Sequence, residues 1–161
     1  ISMKNKIQYI LFVIIFILFI YISMFIKPII NFSAEINNIE NESYKQIIKN
    51  DNGISSNEKI EKFKRLNITI KIKAPLIFIR NVKVESDELY KLLEEDKRIK
   101  VLSDGQVNDK KINTYTAYIY LNNIDIKELK KIIGDFNYTI TWKNIWNNRS
   151  YEKFYIKDYI R

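Results

Sequence analysis

The sequence predicts an α+β protein: a transmembrane helix, a helical stalk and an antiparallel-sheet domain of ferredoxin-like (βαββαβ) topology. Three observations lead to this prediction. An apolar run stands near the start, helical spacing follows it, and apolar residues then alternate with polar ones, as in strands with one buried face. The predicted boundaries are a short cytoplasmic tail at 1–6, a transmembrane helix at 7–26, a helical stalk or linker at 27–65 and an extracytoplasmic domain at 66–161.

The apolar run at 7–26, IQYILFVIIFILFIYISMFI, contains no charged residue, proline or glycine. A helix of that length covers about 30 Å, the thickness of a bilayer's hydrocarbon core. A cleaved signal peptide is the weaker alternative, because the run is long and no small-x-small cleavage site follows it. Lys4 and Lys6 precede the run and only Lys27 follows closely. The positive-inside rule therefore predicts a single-pass anchor in the cell membrane with a cytoplasmic N-terminus.

The predicted stalk has loosely helical spacing in two parts, 33–50 and 56–66. A turn at Asp51-Asn52-Gly53 separates them, and Ser33 and Ser56 are candidate helix caps. The stalk is interpreted as a spacer, with binding to the membrane surface or to a partner as alternatives.

The domain is predicted from strand and helix patterns in the order strand, helix, strand, strand, helix, strand. Pro75 interrupts the first strand pattern, which leaves one bent strand or two short ones. Asp125 and Glu128 have the spacing of a capping box. Two split β-α-β units give one antiparallel sheet with both helices on one face. The aromatic tail at 144–161 is expected to fold back onto the domain, with a further strand as one form that it can take. The predicted elements are strands at 66–85, 98–103, 112–121 and 137–143 and helices at 86–95 and 125–136.

The composition argues against catalysis. The chain has no cysteine and no histidine, which removes thiolate ligands, the commonest metal ligand and the commonest general base. The acidic run Glu94-Glu95-Asp96 is interpreted as a solvated helix end, and glycines at 53, 105 and 134 cannot form a phosphate-binding loop. We therefore predict no catalytic residue, no cofactor and no metal site.

The open sheet face opposite the helices is the predicted interaction surface. Tyrosines among lysines are typical of platforms that stack bases or sugars, and tyrosine is enriched in protein interfaces. Threonine and tyrosine are also simply good strand formers. Beyond the span the net charge is 24 − 19 = +5, too small to favour nucleic acid. The predicted face contains Lys71, Lys73, Tyr118, Tyr120, Thr141 and Lys143.

The first functional hypothesis is a non-enzymatic scaffold or accessory subunit that binds other membrane or envelope proteins. The layout of tail, span, stalk and small domain resembles that of inner-membrane assembly subunits of type IV pilus and type II secretion machines, and the resemblance is one of architecture alone. A second hypothesis is a module that binds cell-wall or other anionic polymer through the lysine and tyrosine face. A third is a small regulator that acts through its span.

Overall fold

The computed structural model describes residues 3–50, 53–55, 57–109 and 111–161. It is a mixed α+β structure with an N-terminal apolar helix, which confirms the coarse prediction. The structure does not describe residues 1, 2, Asp51, Asn52, Ser56 and Lys110. Parts of the predicted tail, turn and cap fall on these residues. The helices are α1 (Met3–Phe25), α2 (Asn41–Asn50), α3 (Leu89–Glu95) and α4 (Ile126–Gly134). The strands are β1 (Ile29–Asn38), β2 (Phe63–Lys73), β3 (Ile79–Ser86), β4 (Ile99–Asn108), β5 (Ile112–Leu121), β6 (Asn137–Asn144) and β7 (Arg149–Tyr155).

The apolar run lies in α1. The segment Asn5–Phe25 is long and apolar enough to cross a membrane, and its side chains are mostly exposed. The helix already begins at Met3, so part of the predicted tail is helical. It ends at Phe25, just before Pro28, which cannot donate the next backbone hydrogen bond.

Sheet A contains β1, β2, β5 and β4 in that order, with every neighbouring pair antiparallel. The predicted helical stalk at 27–65 is wrong in its first part, since residues 29–38 form the edge strand β1. Its apolar residues Ile30, Phe32, Ala34 and Ile36 alternate with polar ones, and pairing with β2 turns them toward the core. Within the predicted stalk, α2 and a turn of 3₁₀ helix at Ile60–Lys62 are helical.

Sheet B contains β3, β6 and β7 in that order, again antiparallel. The interrupted strand pattern becomes two strands, β2 and β3, which lie in different sheets. A turn separates them, in which the amides of Phe78 and Ile79 donate to the Pro75 carbonyl.

The ferredoxin-like topology is not confirmed. Pairings of β2 with β5, of β4 with β5 and of β3 with β6 are present, but β1 occupies the other edge of β2 and the break at Pro75 divides the sheet. The predicted tail strand is present as β7.

One core lies between the layers. Inward side chains of both sheets, together with those of α3 and α4, form a single buried cluster. Aromatic contacts join the two sheets directly: the ring of Phe32 in β1 lies 5.7 Å from that of Phe154 in β7 and 5.7 Å from that of Tyr138 in β6. The domain is therefore one packed unit that includes β1.

Helix α4 shows half of the predicted capping box. The Asp125 carboxylate accepts a hydrogen bond of 2.8 Å from the Glu128 amide. The Glu128 carboxylate instead pairs with Arg98 at 2.7 Å, and Arg98 also pairs with Asp96 at 2.7 Å. Hydrogen bonds from the side chain and backbone of Arg98 lower the pKa of Asp96 to about 2. The predicted solvated acidic helix end thus includes one carboxylate with a defined structural partner.

Candidate functional site

The candidate site is the outer face of sheet B, called the basic face below. Side chains alternate across a strand, so every second residue of β6 and β7 points away from the core. The register aligns these residues in three rows, each with its middle residue in the central strand β6. The rows are Arg80–Lys143–Arg149, Lys83–Thr141–Tyr151 and Glu85–Thr139–Lys153.

A β-bulge in β3 assembles one side of this face. Residues three apart on a regular strand point to opposite sides, because the side-chain period is two. The pairing with β6 shifts between Arg80 and Lys83, and Asn81 adopts a positive φ of 52°. Asparagine tolerates this left-handed conformation better than most residues. The extra residue places both Arg80 and Lys83 on the basic face.

The turn between β6 and β7 builds the other side. The Asn144 side-chain oxygen accepts hydrogen bonds of 3.0 Å from the amides of Trp146 and Asn148. Asn147 has a positive φ of 65°, and its side-chain oxygen accepts a bond of 3.0 Å from the Lys143 ammonium. These bonds close the turn and align Arg149 opposite Lys143.

The charges on the basic face are unequal. Five of the nine residues are cations and one, Glu85, is an anion. The Arg149 guanidinium reaches across the central strand to within 3.5 Å of the Glu85 carboxylate. Thr141 lies in that central strand and is only 5% exposed. The single carboxylate offsets one cation, so the face has a net charge of 5 − 1 = +4.

The structure divides the six predicted face residues between two surfaces. Thr141 and Lys143 belong to the basic face of sheet B, where Thr141 is buried. The other four, Lys71, Lys73, Tyr118 and Tyr120, lie on the outer face of sheet A. The six residues therefore do not form one continuous face.

The outer face of sheet A is covered at one end by α2. The Tyr44 ring of α2 packs edge-on against Phe63 at 5.1 Å, and Phe63 packs against Tyr120 at 5.1 Å. The Lys62 ammonium lies 5.9 Å from the centre of the Tyr120 ring. Burial is the main cause that raises the pKa of the Tyr120 hydroxyl. Tyr120 is consequently partly buried and in contact with Phe63 and Lys62, which leaves less of its ring open for stacking.

Tyr118 lines a groove beside α2 with a volume of about 480 Å³. Ile47 and Leu102 supply apolar walls, and the remaining lining is polar. The polar lining residues are Ser43, Gln46, Asn50, Ser103 and Tyr118.

Sequence reasoning missed the residues that give the basic face its charge. Arg149, Tyr151 and Lys153 stand two residues apart in a tail that was expected to form a strand, and this spacing alone places them on one side. Arg80 and Lys83 have no such signal, because only the bulge brings them to one face. The missed residues are Arg80, Lys83, Arg149, Tyr151 and Lys153.

The first row of the basic face presents three cations side by side, about 5 Å apart across the strands, and Lys83 and Lys153 add one cation each to the second and third rows. Such spacing can engage several negative groups of one extended chain at once, and the exposed Tyr151 ring can lie against an apolar part of that chain.

Among the residues that the structure describes, no group of three or more acidic side chains is arranged to hold a metal ion. No protein-family model, curated protein or solved structure matches the chain.

Proposed function

We propose that the chain is a single-pass, membrane-anchored, non-enzymatic binding protein whose basic face engages an anionic polymer outside the cytoplasm. In this proposal α1 crosses the cell membrane with its N-terminus in the cytoplasm. The domain from β1 onward then stands on the outer side of that membrane. The length of the apolar helix supports the span. The positive-inside rule supports this orientation.

One observation carries the binding proposal: the three aligned rows of sheet B contain five cations and one carboxylate. The register holds the backbone of these residues in place, so binding of a polyanion has to order only their side chains. A partner with repeated negative charges releases condensed counterions on binding, as nucleic acids do, and the affinity should fall steeply with salt.

Two charge-reversal variants of equal net charge test this proposal. Lys83→Glu with Lys153→Glu changes the basic face, and Lys71→Glu with Lys73→Glu changes the outer face of sheet A. All four lysines are exposed, and each pair lowers the net charge by four, so nonspecific attraction changes equally. The full-length protein is held in nanodiscs of phosphatidylcholine, and its affinity for long-chain polyphosphate, used as a generic anionic-polymer probe, is measured at several salt concentrations.

We expect the variant of the basic face to lose about tenfold or more in affinity and to show a shallower salt dependence. The sheet A variant should lose clearly less. Equal losses of affinity in the two variants would show that polyphosphate binding depends only on net charge. A larger loss of affinity in the sheet A variant would assign the site to Lys71 and Lys73. Circular dichroism of both variants confirms that folding is unchanged.

A second candidate function is protein–protein interaction, as a scaffold or accessory subunit of an envelope assembly. The groove beside α2 favours it, because Ile47 and Leu102 offer apolar contact among polar groups that can fix the orientation of a bound segment. A photoreactive residue at position 118 in the groove and another at 151 on the basic face discriminate between the two functions in cells. Protein adducts from position 118 alone favour the scaffold, and polymer adducts from position 151 alone favour the basic face.

A further inference from the structure

The turn between β2 and β3, residues Pro75–Phe78, is apolar throughout and stands out in its exposure. Leu76 is 83% exposed and Ile77 is 75% exposed, the largest values among the large apolar side chains of the described residues. Exposed apolar side chains that adjoin one another mark a surface for apolar contact.

This turn touches α1 well inside its apolar run. The Phe78 ring lies 5.7 Å from the ring of Phe19. The neighbouring β6–β7 turn also reaches the helix: the Trp146 indole N–H donates a bond of 2.9 Å to the hydroxyl of Ser23. That hydroxyl is fully buried and donates to the Ile20 carbonyl at 2.8 Å. Both turns therefore lie beside the last two turns of α1.

The length of α1 decides at what depth the β2–β3 turn lies. If the hydrocarbon core ended before Phe19, only the twelve residues of Ile7–Leu18 would remain inside it, about 18 Å of helix. That length is too short for a core of about 30 Å. A helix that spans must therefore keep Phe19 inside the hydrocarbon, and Phe78 in contact with it lies at a similar depth.

The turn pairs part of its backbone internally, which lowers the cost of that environment. Unpaired backbone groups are costly in hydrocarbon. Pro75 has no amide N–H, and its carbonyl accepts from the amides of Phe78 and Ile79 at 2.8 and 3.0 Å. The exposed cations Lys73 and Arg80 flank the turn, where long basic side chains can reach lipid headgroups. Trp146 is half exposed, as is typical of indoles at a membrane interface.

We propose that Pro75–Phe78 inserts into the outer leaflet beside α1, with Trp146 at the interface, so that phospholipid acyl chains cover Leu76 and Ile77. This inference rests on the proposed membrane anchor. It adds that the domain is held against the bilayer in a defined orientation and does not hang from a free tether.

Spin labels at three single cysteines test the insertion, since the natural chain has no cysteine to remove. Ile77→Cys reports on the turn and Ile15→Cys on the middle of α1. Ile126→Cys is the matched control, because it is an exposed apolar residue that follows Leu121, at the far end of sheet A from Lys73. Each full-length variant is placed in vesicles of phosphatidylcholine and phosphatidylglycerol, and collisions with oxygen and with a water-soluble nickel chelate are measured.

The expected result is preferential collision with oxygen at positions 15 and 77, and with nickel at position 126. A lipid-exposed label at 15 combined with a water-exposed label at 77 overturns the insertion and leaves the anchor intact. Water exposure at both 15 and 77 overturns the anchor and the insertion with it. A label at 77 shielded from both reagents also overturns the inference, because protein and not lipid then covers the turn.

Discussion

The outer faces of the two sheets are both formed by alternate residues of their strands, but they differ in how much the rest of the chain covers them. On sheet A, Tyr44 of α2 packs on Phe63, Phe63 packs on Tyr120, and Thr116 donates a hydrogen bond of 2.6 Å to Asn67 within the face. On sheet B, the cations of β3 and β7 remain exposed around a buried threonine. Alternation alone therefore does not tell which outer face is available to a ligand.

The difference follows from chain connectivity. Sheet A receives α2 because that helix lies in the connection between β1 and β2, its two neighbouring strands. The strands of sheet B that carry most of the charge, β6 and β7, are joined by a short turn that has no helix to place on the face. The outer face of sheet A is therefore covered at one end, and the outer face of sheet B stays open.

The largest expected effect tests what the two sheets share, their core. Ile68→Ala in β2 and Ile140→Ala in β6 each remove a fully buried side chain and should each lower the free energy of unfolding by about 2–5 kcal/mol. Urea unfolding of the full-length protein in detergent micelles, followed by circular dichroism and tryptophan fluorescence, should show one shared transition. Val107→Ala, at an exposed site, is the control and should change stability by less than about 0.5 kcal/mol. Separate transitions for the two probes would mean that the sheets unfold independently.

A smaller effect tests the cover on sheet A. Tyr44→Ala removes the ring contact with Phe63 and the hydrogen bond to the Glu58 carbonyl, which together should cost about 1–3 kcal/mol. Amide hydrogen exchange should rise throughout α2 and stay unchanged in β6. Lys45→Ala, on the exposed side of the same helix, should leave exchange unchanged. If Tyr44→Ala has no more effect than this control, α2 is held by other contacts.

A substitution on the inner face of sheet A is expected to raise stability and not to lower it. The Tyr115 hydroxyl is buried without a hydrogen-bond partner among the described residues, and burial is the main cause that raises its pKa. Tyr115→Phe removes the unpaired hydroxyl and should stabilise the protein by about 1 kcal/mol. Chemical denaturation measures the change. A loss of stability would show that the hydroxyl makes a favourable interaction.

The smallest effect concerns the exposed ion pairs of Arg98, which lie away from both outer faces. The pKa of Asp96 is lowered from 3.8 to about 2, so its stabilising contribution is full above pH 3.8 and is lost as the pH falls through about 2. Asp96→Asn should therefore lower the melting temperature by about 1–2 °C at neutral pH, and the difference from wild type should shrink as the pH falls from 3.8 through about 2. Asp87→Asn, at an exposed carboxyl before α3, is the control. A difference that does not shrink as the pH falls through this range would assign the effect to packing.

Local patterns in the sequence determined the strongly periodic elements. The apolar run from Ile7 is readable because it is long and uninterrupted. The strands around Ile68 and Ile119 and the helix after Asp125 are readable because each buries one face or stripe at a regular period. The composition likewise showed from the start that thiol and imidazole chemistry are absent.

Tertiary structure decided how those elements are partnered. Nothing local places β1 at the edge of β2, separates β2 from β3 into two sheets or brings Arg80 and Lys83 to one face through the bulge at Asn81. Strand pairing and the choice of covered face depend on residues far apart in the chain, as with Phe63, Tyr44 and Tyr120. The periodicity of a strand predicts the face to which a side chain points, whereas only the packed fold determines what covers that side chain.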